Sequence, residues 1–105
     1  MAGDPNAGLT VATLDGIVVG TYHVTYLTYL HAPGRQDAQL EAVHVAAAMR
    51  GRGIGEALMQ HAIEISRARG CRRVQLTTDK RRDAAHRFYR RLGFESSHEG
   101  MKLPL

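Results

Sequence analysis

The sequence predicts a single α/β (α+β) domain in which a mixed, mostly antiparallel sheet packs with two main helices. Three observations predict this fold class. The turn signal Asp15-Gly16 separates two strand-like runs, a pattern typical of an antiparallel hairpin. Apolar residues then follow helical spacing in two later segments, residues 54–65 and 85–92, with a strand-like run between them. The chain has 105 residues, so we expect one domain that spans residues 1–105.

The first half of the chain is predicted to form three strands. Residues 9–14 and 17–30 flank the turn, and the second of these runs is rich in Val, Thr and Tyr, which favour strands. The polar residues 31–37 indicate a loop. Residues 39–46 then alternate in polarity, which predicts the third strand.

The second half is predicted to alternate between helix and strand. Apolar residues at helical spacing begin after Gly53 and end before Gly70, where a C-terminal cap is expected. Residues 73–78 read as a further strand, and a second helix with an apolar stripe is expected to stop at Gly93. Residues 101–103 have strand character. No repeat, linker or low-complexity segment is recognised.

Composition excludes several classes of protein. The single cysteine, Cys71, excludes an internal disulfide and a multi-cysteine metal site, and we expect it to pack as a small apolar residue. The six histidines show no compact ligand spacing, so no metal is expected. The apolar runs are too short for a membrane span, and the N-terminus lacks the features of a signal peptide. We therefore expect no membrane contact and a cytoplasmic location.

The net charge of +4 comes largely from clustered arginines. A phosphate-rich partner is one interpretation of these clusters. A solvated helix face is the preferred interpretation for Arg87, Arg90 and Arg91, because they fall opposite the apolar stripe of the second helix. A nucleic-acid-binding domain ranks last, because the chain has no helix-turn-helix pattern, zinc spacing or aromatic RNA platform. No nucleic-acid partner is expected.

The glycine-rich segment at residues 50–55, Arg-Gly-Arg-Gly-Ile-Gly, lies between the third strand and the first helix. Glycines there allow the backbone to approach a ligand, and the free N–H groups of a helix N-terminus bind anions. A Walker P-loop is excluded because no Lys-Ser or Lys-Thr pair occurs. The alternating glycines fit a dinucleotide fingerprint poorly. A diphosphate cradle remains, and its alternative is a turn that merely starts a helix.

Two motifs resemble those of the GNAT acetyltransferase superfamily. The segment at residues 50–55 resembles its Arg-x-x-Gly-x-Gly loop, and residues 85–94 resemble its Ala-x-x-x-Tyr-x-x-x-Gly-Phe signature. A weaker resemblance, at residues 76–89 and at Ser97-His98, is to aminoalkylphosphonate N-acetyltransferases. The resemblance implies a GNAT-like fold that begins at the family's second strand, without the usual N-terminal strand and helices that help to build the amine site.

The resemblance also implies a coenzyme site. Acetyl-CoA would be the cosubstrate, with its pantetheine arm along the third strand and its diphosphate on the glycine loop. Arg82 stands seven residues before the signature tyrosine, where the family commonly has an asparagine that holds the cofactor. The implied cofactor-binding residues are Val43, His44, Val45, Arg50, Gly51, Arg52, Gly53, Ile54, Gly55, Glu56 and Arg82. Core packing is the alternative role of Val43 and Val45.

Two side chains are candidates for catalysis. Tyr89 stands at the family's general-acid position, where a phenol could protonate the departing thiolate; its alternative role is in the core beside Phe88. Glu41 stands nine residues before Arg50, where similar enzymes often carry a basic glutamate; its alternative is an exposed strand carboxylate. In a regular strand His44 would lie on the face opposite Glu41.

These observations support two functional hypotheses. The first is an N-acetyltransferase that transfers acetyl from acetyl-CoA to a primary amine of a small molecule by direct attack. The second is a non-catalytic, shortened module that binds coenzyme A or dimerises. A homodimer is expected in either case, because it would cover apolar surface that the missing N-terminal elements normally protect.

Overall fold

A computed structural model of the chain describes residues 5–28, 34–78 and 82–105. It has a four-stranded sheet with strand order β1-β2-β3-β4. The elements along the chain are β1 (Ala7–Leu14), β2 (Ile17–Thr28), β3 (Gln36–Val45), a short 3₁₀ turn (Ala47–Met49), α1 (Ile54–Arg69), β4 (Arg73–Leu76) and α2 (Asp83–Arg91). This mixed, mostly antiparallel sheet with two helices confirms the predicted fold class.

The β1–β2 hairpin forms at the predicted turn. Leu14 pairs with Ile17 across it, and the two turn residues, Asp15 and Gly16, have φ angles of 51° and 79°. Positive φ at both central positions defines the type I′ turn, whose twist matches that of the flanking strands. The Asp-Gly pair therefore determines the hairpin locally.

A bulge interrupts the pairing of β3 with β2. The register shifts between Thr21 and His23 of β2, and Ala42 of β3 has a φ of 52°. As a result Glu41 pairs opposite His23 and His44 pairs opposite Thr21. Since alternate residues of β2 share a face, Glu41 and His44 lie on the same face. The expectation that they lie on opposite faces was wrong, because the extra residue reverses the alternation.

The fourth strand runs parallel to β3, with α1 as the crossover between them. Pairing begins at Asp37 with Arg73 and ends at Leu40 with Leu76. Beyond Leu40, β3 continues to Val45 without a partner on its β4 side among the described residues. The two strands therefore share only part of their length, and a gap opens beside the second half of β3.

The core lies between α1 and the sheet. Gly70 adopts a left-handed conformation with φ of 85° and donates its N–H to the Arg67 carbonyl, which confirms the predicted C-terminal cap. Apolar side chains of the second helix pack against the edge of this core, among them Phe88 and Tyr89. The buried core residues are Tyr22, Val24, Tyr26, Ala38, Leu40, Leu58, Met59 and Ala62.

Strand boundaries differ from the expectation at the start of β3 and at the end of β4. Gln36 and Asp37, predicted to lie in a loop, belong to β3, because Asp37 is buried and its carboxylate pairs with two arginines. The fourth strand ends at Leu76, two residues earlier than predicted. Residues 29–33 lie outside the described residues. They include the end of the strand predicted at residues 17–30 and the first part of the loop predicted at residues 31–37.

The C-terminal tail forms no strand, although strand character was predicted at residues 101–103. Met101, Leu103 and Leu105 alternate along it, but their exposed fractions are 93%, 82% and 116%. No strand of the described sheet pairs with this segment. An alternating pattern stabilises a strand only where a partner completes its hydrogen bonds and covers its apolar face.

Among the described residues, no helix is long and apolar enough to cross a membrane. Within the same ranges, no group of three or more His, Cys, Asp or Glu side chains is arranged to hold a metal ion.

Candidate functional site

Two cavities lie along the second half of β3. The first, which we call the strand cavity, has a volume of about 190 Å³ and occupies the gap where β3 extends past its pairing with β4. The second, the loop cavity, has a volume of about 350 Å³ and lies against the glycine segment and the start of α1. Val43 lines the strand cavity and Val45 lines the loop cavity, so β3 leads from one to the other.

The strand cavity brings together side chains from three parts of the chain. Glu41 and Val43 come from β3, and Thr77 and Thr78 follow β4. The second helix contributes Tyr89, and the residue before that helix contributes Arg82. These predicted catalytic residues, Glu41 and Tyr89, therefore face one space.

Tyr89 is half-buried at the inner wall of the strand cavity. Its ring makes edge-to-face contacts with Phe88, at a centroid distance of 5.2 Å, and with Phe94, at 5.7 Å. Burial raises the pKa of the Tyr89 phenol above its ordinary value of 10.0, and the nearby Arg82 charge opposes that rise. The phenol is therefore protonated at neutral pH and has a proton to donate. Tyr89 thus packs beside Phe88, as its alternative role expects, and it also lines the strand cavity.

Glu41 and Arg82 place opposite charges on the strand cavity. Both side chains belong to exposed residues, and both contribute to the cavity lining. Within the described ranges, neither takes part in an ion pair. The cavity therefore offers one carboxylate and one guanidinium that are available to a ligand.

The loop cavity is built around glycines. Gly51 and Gly53 have φ angles of 82° and 77°, in the left-handed region that glycine adopts at low cost. A Cβ atom added at Gly55 would lie 3.7 Å from both Phe88 Cζ and Val45 Cγ2, so a side chain there would occupy space between two walls of the cavity. The absence of side chains thus leaves room for a ligand against the backbone.

The first turn of α1 points N–H groups toward this region. The first intrahelical bond runs from the Ala57 N–H to the Gly53 carbonyl at 3.0 Å, so the preceding N–H groups have no partner within the helix. Ile54, Gly55 and Glu56 of this turn line the loop cavity. The partial positive charge of a helix N-terminus favours an anion there.

Two arginines add positive charge to the loop cavity. Arg50 lines it and donates from Nε to the Val45 carbonyl at 3.4 Å, which holds its side chain over the end of β3. Arg91 lines it from the second helix. The cavity also contains one carboxylate, that of Glu56. The arrangement suits a ligand with more than one negative charge.

The structure distributes the predicted site residues over both cavities. Four line the strand cavity, namely Glu41, Val43, Arg82 and Tyr89. Seven line the loop cavity, namely Val45, Arg50, Gly51, Gly53, Ile54, Gly55 and Glu56. His44 and Arg52 are exposed and line neither. Arg82, predicted beside the cofactor, lines the strand cavity with Glu41 and Tyr89 and does not line the loop cavity.

Sequence reasoning missed several lining residues. Arg91 was interpreted as part of a solvated helix face, yet it lines the loop cavity together with Met49 and Phe88. Its position three residues after Phe88 is the available signal, since residues three apart share a helix face. Thr77 and Thr78 line the strand cavity but were predicted only as strand residues.

Comparison with known proteins places the chain in a family. A model of the acetyltransferase (GNAT) family matches residues 1–94. Aminoalkylphosphonate N-acetyltransferase from Salmonella typhimurium is 35% identical over 95 residues, which are 90% of this chain and 61% of that protein. The chain thus spans less than two thirds of the length of this relative.

Solved structures share the fold over almost the whole chain. A transcriptional regulator from Bacillus halodurans has a TM-score of 0.91 and 46% identity, with coverage of 97% of this chain and 68% of that one. An acetyltransferase from Trypanosoma brucei has a TM-score of 0.84 and 30% identity, with coverage of 95% and 70%. The family match, the glycine loop and the tyrosine signature agree, and the chain belongs to the acetyltransferase (GNAT) family.

Proposed function

We propose that this chain is an N-acetyltransferase that transfers acetyl from acetyl-CoA to a primary amine of a small molecule by direct attack. The observation that carries the proposal is the course of β3, which connects a cavity suited to phosphates with a cavity that holds a carboxylate and a phenol. GNAT acetyltransferases use acetyl-CoA, and membership of the family supports acetyl-CoA as the donor. The acceptor amine and the roles of individual residues are our proposal.

The residues of the loop cavity fit the diphosphate of coenzyme A. Gly51 and Gly53 hold left-handed conformations, and the space beside Gly55 would be filled by a side chain. Free N–H groups of the first turn of α1 would donate to phosphate oxygens. Arg50 and Arg91 would neutralise their charge. Arg52 and His44 line neither cavity, so we assign their side chains no role in this contact.

The backbone of β3 supplies the second part of the donor site. Beyond Leu40 this strand has no β4 partner in the described part of the chain, so the edge at Val43 to Val45 can hydrogen-bond the amide groups of a pantetheine arm. That contact would direct the arm from the loop cavity into the strand cavity. Bound acetyl-CoA supplies an acyl group activated by its thioester.

Glu41 and Tyr89 would carry the proton transfers of the reaction. Glu41 accepts a proton from the acceptor ammonium, directly or through water, because only the free amine is nucleophilic. Attack forms the carbon–nitrogen bond and breaks the carbon–sulfur bond, and the acylated nitrogen then releases its extra proton, which restores the Tyr89 phenol. Tyr89 donates its phenolic proton to the departing thiolate, whose thiol has an ordinary pKa of about 8.5. The products are an N-acetylated amine and free coenzyme A, and no acyl-cysteine forms.

Proton transfer from Tyr89 to the thiolate is unfavourable in itself, because the pKa of the phenol lies above 10.0 and the thiolate is a weaker base than the phenolate. The Arg82 charge lowers the pKa of Tyr89 and would also stabilise the negative charge that develops as the thiolate departs. The half-buried position of Tyr89 keeps its ring fixed between Phe88 and Phe94. A fixed donor beside the reacting atoms needs little reorganisation to transfer its proton.

The alternative function is a non-catalytic module that binds coenzyme A or acts as a dimer. Exposed apolar side chains of the β1–β2 hairpin support an interaction surface, with Leu9 and Ile17 each 67% exposed and Val18 51% exposed. Homodimerisation through this hairpin is compatible with either function. Sedimentation equilibrium of the purified chain tests it directly.

Two measurements on one preparation test the proposed function. Calorimetric titration with acetyl-CoA measures donor binding, and mass spectrometry of small primary amines incubated with acetyl-CoA detects the N-acetyl product. Tyr89→Phe should lower kcat by about 10²–10⁴-fold and leave the acetyl-CoA dissociation constant unchanged. Saturable acetyl-CoA binding without product from any amine would instead favour the non-catalytic module, and a fully active Tyr89→Phe protein would refute the acid role.

A further inference from the structure

The charges on the strand cavity point to the class of acceptor. Glu41 lies on β3 and Arg82 immediately precedes α2, so the carboxylate and the guanidinium approach the cavity from different elements. Neither forms an ion pair within the part of the chain that the structure describes. A ligand that fills this cavity therefore meets one negative and one positive charge.

Arg82 is separated from the phosphate-binding part of the site. It lines the strand cavity with Tyr89, whereas the loop cavity has its own guanidinium groups, those of Arg50 and Arg91. An arginine beside the reacting centre is not needed for the diphosphate. The planar guanidinium group of Arg82 can donate two parallel hydrogen bonds, and a carboxylate or a phosphonate can accept both.

The size of the cavity limits the acceptor. Its volume is about 190 Å³, roughly six times the ~30 Å³ that one water molecule occupies in the liquid. Pockets for drug-sized ligands measure about 300–1,000 Å³. The part of an acceptor that lies inside this cavity is therefore a group of a few heavy atoms.

We infer that Arg82 binds the acidic group of a small zwitterionic acceptor, so that the preferred substrates are primary amines bearing a phosphonate or a carboxylate two or three bonds away. This inference rests on the proposed acetyl transfer. The acidic group would lie on Arg82 while the ammonium faces Glu41, and that two-point contact would direct the amine at the thioester. Arg82 is then a residue that determines acceptor specificity rather than one that holds the cofactor.

The test compares acceptors that differ only in their acidic group. We would measure kcat/KM for 2-aminoethylphosphonate, β-alanine and ethanolamine, which share a two-carbon spacing from the amine. A charge-assisted contact to Arg82 predicts a preference of about 10–100-fold for the acids over ethanolamine. The ratio of kcat/KM for 2-aminoethylphosphonate to kcat/KM for β-alanine identifies whether a phosphonate or a carboxylate is the better ligand of Arg82.

Substitution of Arg82 should remove this preference. Arg82→Gln should bring the three kcat/KM values together by raising KM for the two acids, while the acetyl-CoA dissociation constant stays constant. Any loss of kcat from the missing charge beside the thiolate should be equal for all three acceptors. Arg82→Glu should reverse the selectivity and favour ethylenediamine over β-alanine. Arg87 is an exposed arginine of α2 that lines neither cavity. The control variant Arg87→Gln should therefore keep the preference of the unmodified chain for the two acids over ethanolamine.

Three other results would overturn the inference. Equal kcat/KM for the acids and ethanolamine in the unmodified chain would overturn it and leave the proposed acetyl transfer standing. An Arg82→Gln protein that binds acetyl-CoA more weakly but keeps its acceptor selectivity would do the same. Product from none of these amines, by a folded chain that binds acetyl-CoA and acetylates another primary amine, would overturn this inference and leave the proposed function standing.

Discussion

Gly20 of β2 lies directly beneath Leu58 of α1. A Cβ atom at residue 20 would stand 2.8 Å from Leu58 Cδ1 and 3.2 Å from both Ile54 Cγ2 and the His44 carbonyl oxygen. A glycine is therefore what allows α1 to approach the sheet so closely. Because Ile54 is the first residue of α1, this contact also fixes the helix N-terminus that lines the loop cavity.

Gly20→Ala should destabilise the fold, because the added methyl group must displace the buried Leu58 side chain and press against the His44 carbonyl oxygen. Overpacking of this kind costs about 1–3 kcal/mol, and urea denaturation would measure it. Gly8→Ala is the matched control, since Gly8 also lies in a strand but has no atom within 4 Å of the added Cβ. Equal stability of the two variants would contradict the close-packing interpretation.

Gly55→Leu should abolish acetyl-CoA binding while the chain remains folded. The first side-chain carbon fits at 3.7 Å from Phe88 and Val45, but the rest of a leucine would fill the loop cavity. Ala57→Leu is the control, because Ala57 is exposed on the same helix and lines neither cavity. Calorimetric titration with acetyl-CoA checks both. Unchanged affinity in a folded Gly55→Leu protein would refute the diphosphate cradle.

Arg91→Gln should weaken acetyl-CoA binding by about tenfold at low salt, because it removes a charged contact to phosphate. The effect should shrink in 1 M salt, where the Debye length is about 3 Å. Its neighbour Arg90, exposed and absent from both cavity linings, provides the control as Arg90→Gln. Titrations at two salt concentrations would measure the acetyl-CoA dissociation constants of both variants. Equal dissociation constants at both salt concentrations would show that Arg91 does not contact the phosphates.

The pH dependence of turnover should reflect the raised pKa of Tyr89. Burial raises this pKa above 10.0 and Arg82 opposes the rise. The acid must be protonated, so its contribution is present below its pKa and is lost as pH rises through it. We expect kcat to show no alkaline decline between pH 7 and pH 9. Arg82→Gln removes the opposing charge and should move any alkaline decline to higher pH, with circular dichroism confirming that the chain stays folded. An alkaline decline below pH 9 in the unmodified chain would show that another group limits turnover.

Asp37 should stabilise the fold at neutral pH and lose that effect in acid. Burial alone would raise the pKa of its carboxyl group, but hydrogen bonds and charge from Arg72 and Arg73 outweigh burial and hold the pKa below its usual value of 3.8. The stabilisation is thus complete above pH 3.8 and lost as pH falls through the lowered value.

Asp37→Asn should therefore lower the free energy of unfolding at pH 7 by about 1–3 kcal/mol. This loss of unfolding free energy is smaller than that expected for a fully buried ion pair, because the side chains of Arg72 and Arg73 are 37% and 51% exposed. Denaturation at pH 7 and pH 3 measures the change, and the difference from the unmodified chain should narrow in acid. Asp15→Asn is the control, because asparagine also accepts the positive φ of the hairpin turn. A loss of stability that is independent of pH would contradict the ionic role of Asp37.

The parts of the fold that follow from local rules could be predicted from the sequence. The Asp15-Gly16 turn and the Gly70 cap need positive φ, and such positions can be recognised from the residue itself. The bulge at Ala42 could not be predicted, because alanine carries no local signal for it and the register depends on β2. That single extra residue decides which face of β3 presents His44.

The candidate site was predictable to a similar extent. Glycines 51, 53 and 55 indicated a ligand-binding loop, and Tyr89 followed from the family signature. The arginines could not be assigned to a cavity from the sequence. Helical periodicity separates apolar from polar faces, but it does not identify which polar residues line a cavity. Arg82 and Arg91 stand at opposite ends of α2 and line different cavities.

The parallel pairing of β3 with β4 also determines when the site can exist during folding. Strands β1, β2 and β3 follow one another and pair as neighbours, so they close short loops, whereas β4 can join only after α1 has crossed the sheet. Longer closures are slower. We therefore expect the walls contributed by β4 and α2 to assemble last. A donor that binds both cavities should slow the local opening of these walls, measured by hydrogen exchange, more than that of the hairpin.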